Sequence, residues 1–234
     1  MSDLIVFTAA SKRSRLFDLL ERQLAEAALP LHVKVYPRGS SWASISTTEM
    51  MLANIEEALS LGHEKIVMID AFDMLFFGNK DEIVAKIPDR VLFCADRNLV
   101  PPTMDESKFP STETPWRFVN GGGMAGTRGA FERFVDSIRS QGYDDATETN
   151  NTVFNRILSS GGDRAFDIDG RAEIFHNMYL GEGELSVRDG RPFNGLTGTF
   201  PNFFHFTGGA DSSGFLEMLG IEYIAPPTHW MRPK

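Results

Sequence analysis

A wholly apolar run that ends abruptly in carboxylates leaves a chain few ways to fold. Ile66-Val67-Met68-Ile69 is such a run, with Asp70-Ala71-Phe72-Asp73 directly after it and a second apolar run, Met74-Leu75-Phe76-Phe77, beyond. Too short for a helix and apolar on both faces, the first run predicts a strand buried between two layers. Leu4-Ile5-Val6-Phe7-Thr8 and Val91-Leu92-Phe93-Cys94-Ala95 are of the same kind, and residues 31–36 alternate as a further strand. Between these runs, Leu16, Leu19, Leu20 and Leu24 within 15–28, and Met51, Leu52, Ile55 and Leu59 within 48–61, recur at helical spacing. Strand, helix, strand, helix, strand is the order of a mostly parallel sheet flanked by helices, so the expected class is α/β. Asp70 then falls at the carboxyl end of its strand, where open α/β sheets form their ligand crevice.

The remaining pattern is less regular. Helices are expected at 81–86, 128–140, 150–158 and 215–219, and short strands at 165–169 and 173–178. A hairpin is expected about Asp189-Gly190, and an apolar run at 202–207 leads into Gly208 and Gly209. Residues 97–117 carry four prolines and little periodicity, the mark of a long functional loop. Trp42, in a loop rich in Gly and Ser, either covers a ligand or anchors that loop. The segment Asn120-Gly121-Gly122-Gly123-Met124-Ala125-Gly126 either lets the backbone approach a ligand or makes a tight bend inside the sheet. It fits neither the P-loop nor the dinucleotide fingerprint. No repeat or linker divides the 234 residues, and one domain spanning 1–234 is expected.

Charge and cysteine content narrow the function. A net charge of −9 argues against broad capture of a polyanion, although Arg97, Lys108, Arg117 and Arg128 are candidates for a local basic groove. The single cysteine, Cys94, excludes an intrachain disulfide framework and a multi-cysteine zinc site. The N-terminus lacks a basic signal-peptide region and no stretch has transmembrane length, so a cytoplasmic location is expected.

Asp70 and Asp73, three residues apart on one turn, repel each other unless a cation lies between them. Mg²⁺ or Mn²⁺ suits carboxylate oxygens and keeps coordination sites for phosphates. The alternative is that Asp70 caps a turn and Asp73 is solvated. Taken alone, His205 on its apolar run fits a buried core histidine as well as a ligand.

The order of these motifs resembles the glycosyltransferase domain of the lysyl hydroxylase/procollagen glucosyltransferase (PLOD) family, a GT-A-type, Rossmann-like fold. Ile69-Asp70-Ala71-Phe72-Asp73 resembles the family's metal motif Asp-x-Tyr-Asp, and Val119-Asn120-Gly121-Gly122-Gly123-Met124-Ala125-Gly126 its Leu-Asn-Ser-Gly-Gly-Phe-Ile-Gly. Asp169 with Glu173-Ile174-Phe175-His176-Asn177-Met178 is similar to Leu-Asp…Ile-Phe-Gln-Asn-Leu, and His205-Phe206-Thr207-Gly208 to His-Gly-Asn-Gly. Where the family carries Asp-Asp-Gln, this chain has Thr149-Asn150-Asn151, with Asp144-Asp145 five residues earlier.

The resemblance implies a transferase moving a sugar from a UDP-sugar to a hydroxyl of a glycan, a protein or a hydroxymethylated DNA base. Asp70, Asp73 and His205 would hold the metal, with Mn²⁺ favoured by the imidazole. Phe72 would stack on the base, unless it packs in the core, and Thr8 and Ala9 would meet the base edge. Asn120, Gly121 and Gly122 would line the sugar pocket, and Gly208 and Gly209 would approach the phosphates. Asn150 and Asn151 could hydrogen-bond sugar or acceptor but cannot act as a base. Asp144, Asp145 and Asp169 remain the base candidates, and His176 is read as structural. Two other readings share these residues: a nucleotide-sugar-binding module without turnover, and a metal-dependent nucleotidyltransferase or phosphatase.

Overall fold

A computed structural model of the chain describes residues 3–11, 13–36, 47–144, 148–162, 164–179 and 182–222. Trp42 and Asp145 lie outside the described residues. The central sheet has six strands in the order β2-β1-β3-β6-β5-β7. They are β1 Leu4–Ala10, β2 Leu31–Val35, β3 Lys65–Asp70, β5 Val91–Asp96, β6 Phe118–Thr127 and β7 Phe166–Ile168. The pairs β1–β2, β1–β3 and β5–β7 are parallel, whereas β6 runs antiparallel to both β3 and β5. The glycine-rich segment is therefore not a bend between elements. It is an inner strand of the sheet, wedged between the two acidic-ended strands β3 and β5.

Alternate residues of the buried strands feed two cores, as the pleat requires. Ile5, Phe7, Ile66 and Met68 face one core, shared with Leu52 and Ile55 of α2 (Thr48–Ser60), Phe131 and Phe134 of α4 (Arg128–Gln141) and Phe154 of α5 (Asn150–Ser159). Leu4, Val6, Val67 and Ile69 face the other, shared with Phe17, Leu20 and Leu24 of α1 (Arg15–Glu26) and Ile83 of α3 (Lys80–Lys86). Ser14, Thr47, Asn79, Thr127 and Thr149 cap the five helices through side-chain oxygens.

The second apolar run after Asp73 becomes β4 (Met74–Phe76) in a separate sheet of order β4-β11-β8, with β11 at Phe203–His205 and β8 at Phe175–Asn177. This small sheet packs Phe76, Phe175 and Phe203 against the α1 side of the main sheet. A hairpin, β9 (Leu185–Arg188) and β10 (Arg191–Asn194), turns at Asp189 and Gly190, both at positive φ. Helix α6 (Ser213–Met218) closes the described part of the chain. Among the described residues no helix is long and apolar enough to cross a membrane.

His32 of β2 is half-buried: it stacks on Phe7 at 5.2 Å and lies 3.2 Å from Glu57. The four basic candidates do not form one cluster. Arg117 adjoins the start of β6 and Arg128 follows its end, so about 30 Å of strand separates them. Arg97 is bound instead to Glu184 and lies 4.6 Å over Trp116.

Candidate active site

The small sheet brings distant residues together. β11 pairs antiparallel with β4, so His205 stands opposite Met74, one residue after Asp73. The Phe206 N–H donates to the Asp73 carbonyl at 2.8 Å, which locks this register. His205 Nε2 consequently lies 3.4 Å from Asp73 Oδ2 and 3.6 Å from Asp70 Oδ2. One potential ligand atom from each of the three residues falls within 4.8 Å of the others. Asp70 keeps 55% of its side chain accessible, while His205 is 3% exposed and forms the wall behind it.

Gly122 makes this approach possible. β6 pairs Gly123 with Ile69, which sets Gly122 beside Asp70. A Cβ at Gly122 would lie 2.1 Å from His205 Cε1 and 2.8 Å from Asp70 Oδ2, so any side chain there expels the imidazole. The register between β5 and β6 also slips: Phe93 faces Met124, yet Cys94 faces Asn120. The residues between, Gly121 to Gly123, are an extended bulge. Side chains satisfy its freed N–H groups, Asn151 Oδ1 accepting from Gly121 at 2.7 Å and Asn120 Oδ1 from Gly122 at 2.9 Å.

The electrostatics of the three residues are coupled. Crowding by protein and the neighbouring Asp73 charge push Asp70 up to about 6, against the opposing pull of His205. Burial alone would lower His205, but the charges of Asp73 and Asp70 outweigh it and hold the imidazole well above its ordinary value. Among the described residues no N–H donates to the Asp70 carboxylate, and His205 is its one nearby cationic group. Two carboxylates and an imidazole, facing a gap held open by a glycine, fit a divalent ion.

The other sequence candidates sort into those that face this recess and those engaged elsewhere. Asn120 is at its edge, donating through Nδ2 to Asp96 at 3.0 Å and to Thr207 at 3.2 Å. Asn150 and Asn151 lie across β6: a Cβ on Gly121 would be 3.3 Å from Asn150 Oδ1 and 3.0 Å from Asn151 Oδ1. Gly208 takes the positive φ of 71° that turns the chain after His205, with Gly209 next in the same 3-10 turn. Ala9, next to last in β1, stands opposite Asp70. Phe72 packs partly buried against the α1-side core. Thr8, by contrast, is 1% exposed and donates its hydroxyl to the Ile69 carbonyl at 2.6 Å, so it offers no hydroxyl to a base.

Asp169 is likewise spent. Its oxygens accept from the N–H groups of Glu173, Ile174 and Phe175 at 2.9, 2.7 and 2.8 Å, organising the turn before β8. Burial pushes it up to about 6 despite these bonds, and at 4% exposure the carboxylate is engaged in ordering the chain. His176 is fully buried between Trp116 and Phe204, with Asn194 Nδ2 3.2 Å from its Nδ1.

Sequence reading passed over Asp96, Asn177 and Thr207. Asp96 Oδ2 accepts from both Asn120 and Asn177 at 3.0 Å, and Thr207 Oγ1 lies 2.9 Å from His205 Nδ1. The signal for Asp96 was present: it ends a wholly apolar strand, as Asp70 does. Asn177 and Thr207 fall inside motifs quoted for the resemblance, but only the fold shows what they bind.

Comparison with known proteins gives the family and the fold. The sequence profile described as the PLOD GT domain matches residues 1–231. The chain belongs to the PLOD glycosyltransferase-domain family. An uncharacterised protein of Acanthamoeba polyphaga mimivirus is 26% identical over 151 residues, covering 62% of this chain. The match spans only 31% of that viral protein. Two solved structures share the fold. One is a glycosyltransferase involved in glycosylating the major capsid of PBCV-1: TM-score 0.54, 10% identity, 93% of this chain and 99% of that one. The other is the galactosyltransferase LgtC bound to donor and acceptor sugar analogues: TM-score 0.54, 12% identity, 97% of this chain and 98% of that one. The PLOD-type domain described here is thus a GT-A glycosyltransferase domain with an α/β sheet.

Proposed function

We propose that this domain transfers a sugar from a UDP-sugar to a hydroxyl, with Mn²⁺ or Mg²⁺ held by Asp70, Asp73 and His205. The observation that carries the proposal is the convergence of these three side chains within 4.8 Å across Gly122. A bound divalent ion supplies Lewis acidity to the departing diphosphate. The chain's own residues do the rest. Asp70 and Asp73, repelling each other without a cation, are held close by the β3 end and the β4–β11 register, so little reorganisation is needed on binding. The nucleotide is assigned to the crevice between β1 and β3, where successive connections leave in opposite directions. Ala9 and Phe72 flank that crevice. Asn120 and the Gly121–Gly122 backbone line the sugar pocket, where Asp96 keeps the Asn120 carboxamide in place.

Asn150 and Asn151 orient sugar or acceptor by hydrogen bonds and move no proton. The first turn of α5 carries no acid, which favours a second reading: a nucleotide-sugar-binding module without turnover. Candidate acceptors are a glycan, a protein or a hydroxymethylated base in DNA. We assign the reaction to the cytoplasm and to residues 1–234 acting as one domain, in keeping with the buried thiol of Cys94.

The deciding experiment measures UDP release from a panel of UDP-sugars with Mn²⁺, with and without acceptors, in wild type and Asp73→Ala. Wild-type release that is Mn²⁺-dependent and lost in the variant supports transfer. Binding without release supports the module. Inorganic phosphate or pyrophosphate as product points to phosphatase or nucleotidyltransferase chemistry, and full activity in Asp73→Ala overturns the metal assignment.

A further inference from the structure

We infer that Asn151 is a positioning residue for the Asp70–Asp73–His205 recess: its carboxamide oxygen pins the glycine bulge of β6, so that Gly122 stays closed on His205 and Asp70. The inference rests on reading that recess as a cation site. It goes beyond contact with sugar or acceptor, because it gives Asn151 a part before any substrate is bound.

Residues 118–121 of β6 run on past the end of β3, whose last pair joins Ile69 to Gly123. Backbone groups on that side need other partners. Helix α5 supplies them. Asn155, 0% exposed, accepts from the Val119 N–H at 2.8 Å and donates to the Val119 carbonyl at 3.2 Å, as a paired strand would. Asn151, one turn earlier, accepts from the Gly121 N–H at 2.7 Å. The spacings agree: four helical residues rise about 6.0 Å, and two strand residues about 6.8 Å. A backbone N–H only donates, so Gly121 fixes Oδ1 as the end of Asn151 that faces β6. Nδ2 is the end left for sugar or acceptor.

Pinning matters here because Gly121, Gly122 and Gly123 have no side chains to hold them by packing. They have also left the ladder with β5, standing out where Phe93 and Cys94 are neighbours. Two side-chain bonds take its place: Gly121 N–H to Asn151, and Gly122 N–H to Asn120 at 2.9 Å. Together they fix the peptide between the two glycines, and either one alone leaves it free to turn. That peptide leads into the floor of the recess, for a Cβ on Gly122 would meet His205 Cε1 at 2.1 Å and Asp70 Oδ2 at 2.8 Å. The Gly122 backbone thus sets how closely two of the three candidate ligands approach. The bond to Asn151 holds that spacing from the far side of the strand.

The test is Mn²⁺ affinity without nucleotide, measured from the EPR signal of free Mn²⁺ at one neutral pH. Asn151→Leu keeps the size of the side chain and removes the acceptor. Its dissociation constant should rise about tenfold, the low end of the cost of losing an outer-shell partner. Asn151→Asp keeps the acceptor and should bind at least as tightly as wild type. An aspartate also adds charge, so Asn150→Asp measures what charge alone contributes from the neighbouring position, whose side chain is not the acceptor for Gly121. The gain of Asn151→Asp over Asn151→Leu should exceed the gain of Asn150→Asp over wild type by about threefold or more. Equal gains overturn the role of Asn151, as does an Asn151→Leu protein that binds Mn²⁺ like wild type. Asn151→Ala serves as a second acceptor-free variant if the leucine variant does not give the wild-type circular dichroism spectrum. His205→Ala separates the two levels. If it binds Mn²⁺ like wild type, the cation site itself falls and this inference with it; if it binds weakly while Asn151→Leu does not, only the role of Asn151 falls.

Discussion

Asp70 and Asp169 both have carboxyls pushed up to about 6, and they mean opposite things. Asp169 is buried in a turn that gives it three backbone N–H donors, and the burial outweighs them. Asp70 is crowded by protein and by a second carboxylate, with no N–H donor among the described residues. One carboxylate is held by backbone donors and organises the chain around it. The other is offset in part by the charge of His205 and keeps oxygens open for a cation. A shifted pKa alone therefore does not locate a functional group; the inventory of its donors does.

The largest effect expected from this contrast is on turnover. Asp70→Ala should cut Mn²⁺-dependent UDP-sugar turnover by at least about a hundredfold while leaving the thermal midpoint at or above that of wild type, since a mutual repulsion is removed. A large fall in midpoint would place Asp70 with Asp169 and erase the distinction. Asp169→Ala should do the reverse. It strands three buried N–H groups, at about 1–3 kcal/mol each, so a loss of roughly 3 kcal/mol or more in denaturant unfolding is expected. The fraction that remains folded should bind Mn²⁺ as wild type does.

The pH dependences should also part. At the recess, proton and cation compete for the Asp70 oxygen and the His205 ring nitrogen. Mn²⁺ affinity should therefore fall as pH drops through about 6, and should still be rising above pH 7, because His205 is held above its ordinary value and must also lose a proton. Titrating Mn²⁺ from pH 5 to 8 measures this; a flat profile would remove Asp70 from the ligand set. Asp169 acts on folding instead. Its pKa is raised on folding, so stability should decline as pH climbs from about 4 to about 6 and level off beyond. Unfolding of metal-free Asp70→Asn protein isolates that slope.

How much of this was legible beforehand follows the same division. The buried strands, their helices and the crevice at Asp70 could be read because apolar runs and helical spacing are local. The glycine run could not be resolved into an inner strand: its function depends on His205 and Asp70 closing on Gly122, a contact between three separate elements. Asp70 and Asp73 were singled out by their spacing after a buried strand and His205 by motif resemblance, and the β4–β11 pairing supplies the reason the three lie together. Asp169 was misjudged as a possible base because a carboxylate looks the same in sequence whether its oxygens are free or filled. Thr207 and Asn177 were quoted within motifs but given no part, for a related reason: a hydroxyl and an amide acquire their part only from the partners around them.

Thr8 offers the finest test of the contrast. It directly precedes Ala9 in β1, yet it belongs with Asp169: buried, and with its hydroxyl donated to the Ile69 carbonyl at 2.6 Å. Thr8→Val preserves the side-chain shape and removes that one bond. Unfolding free energy should fall by about 1 kcal/mol, the usual net worth of a buried hydrogen bond, while KM for the UDP-sugar stays within about twofold. The opposite pattern, with KM raised severalfold and stability untouched, would mean that the hydroxyl leaves Ile69 to meet the nucleotide. Saturation in the free protein would then no longer separate residues that build the crevice from residues that work in it.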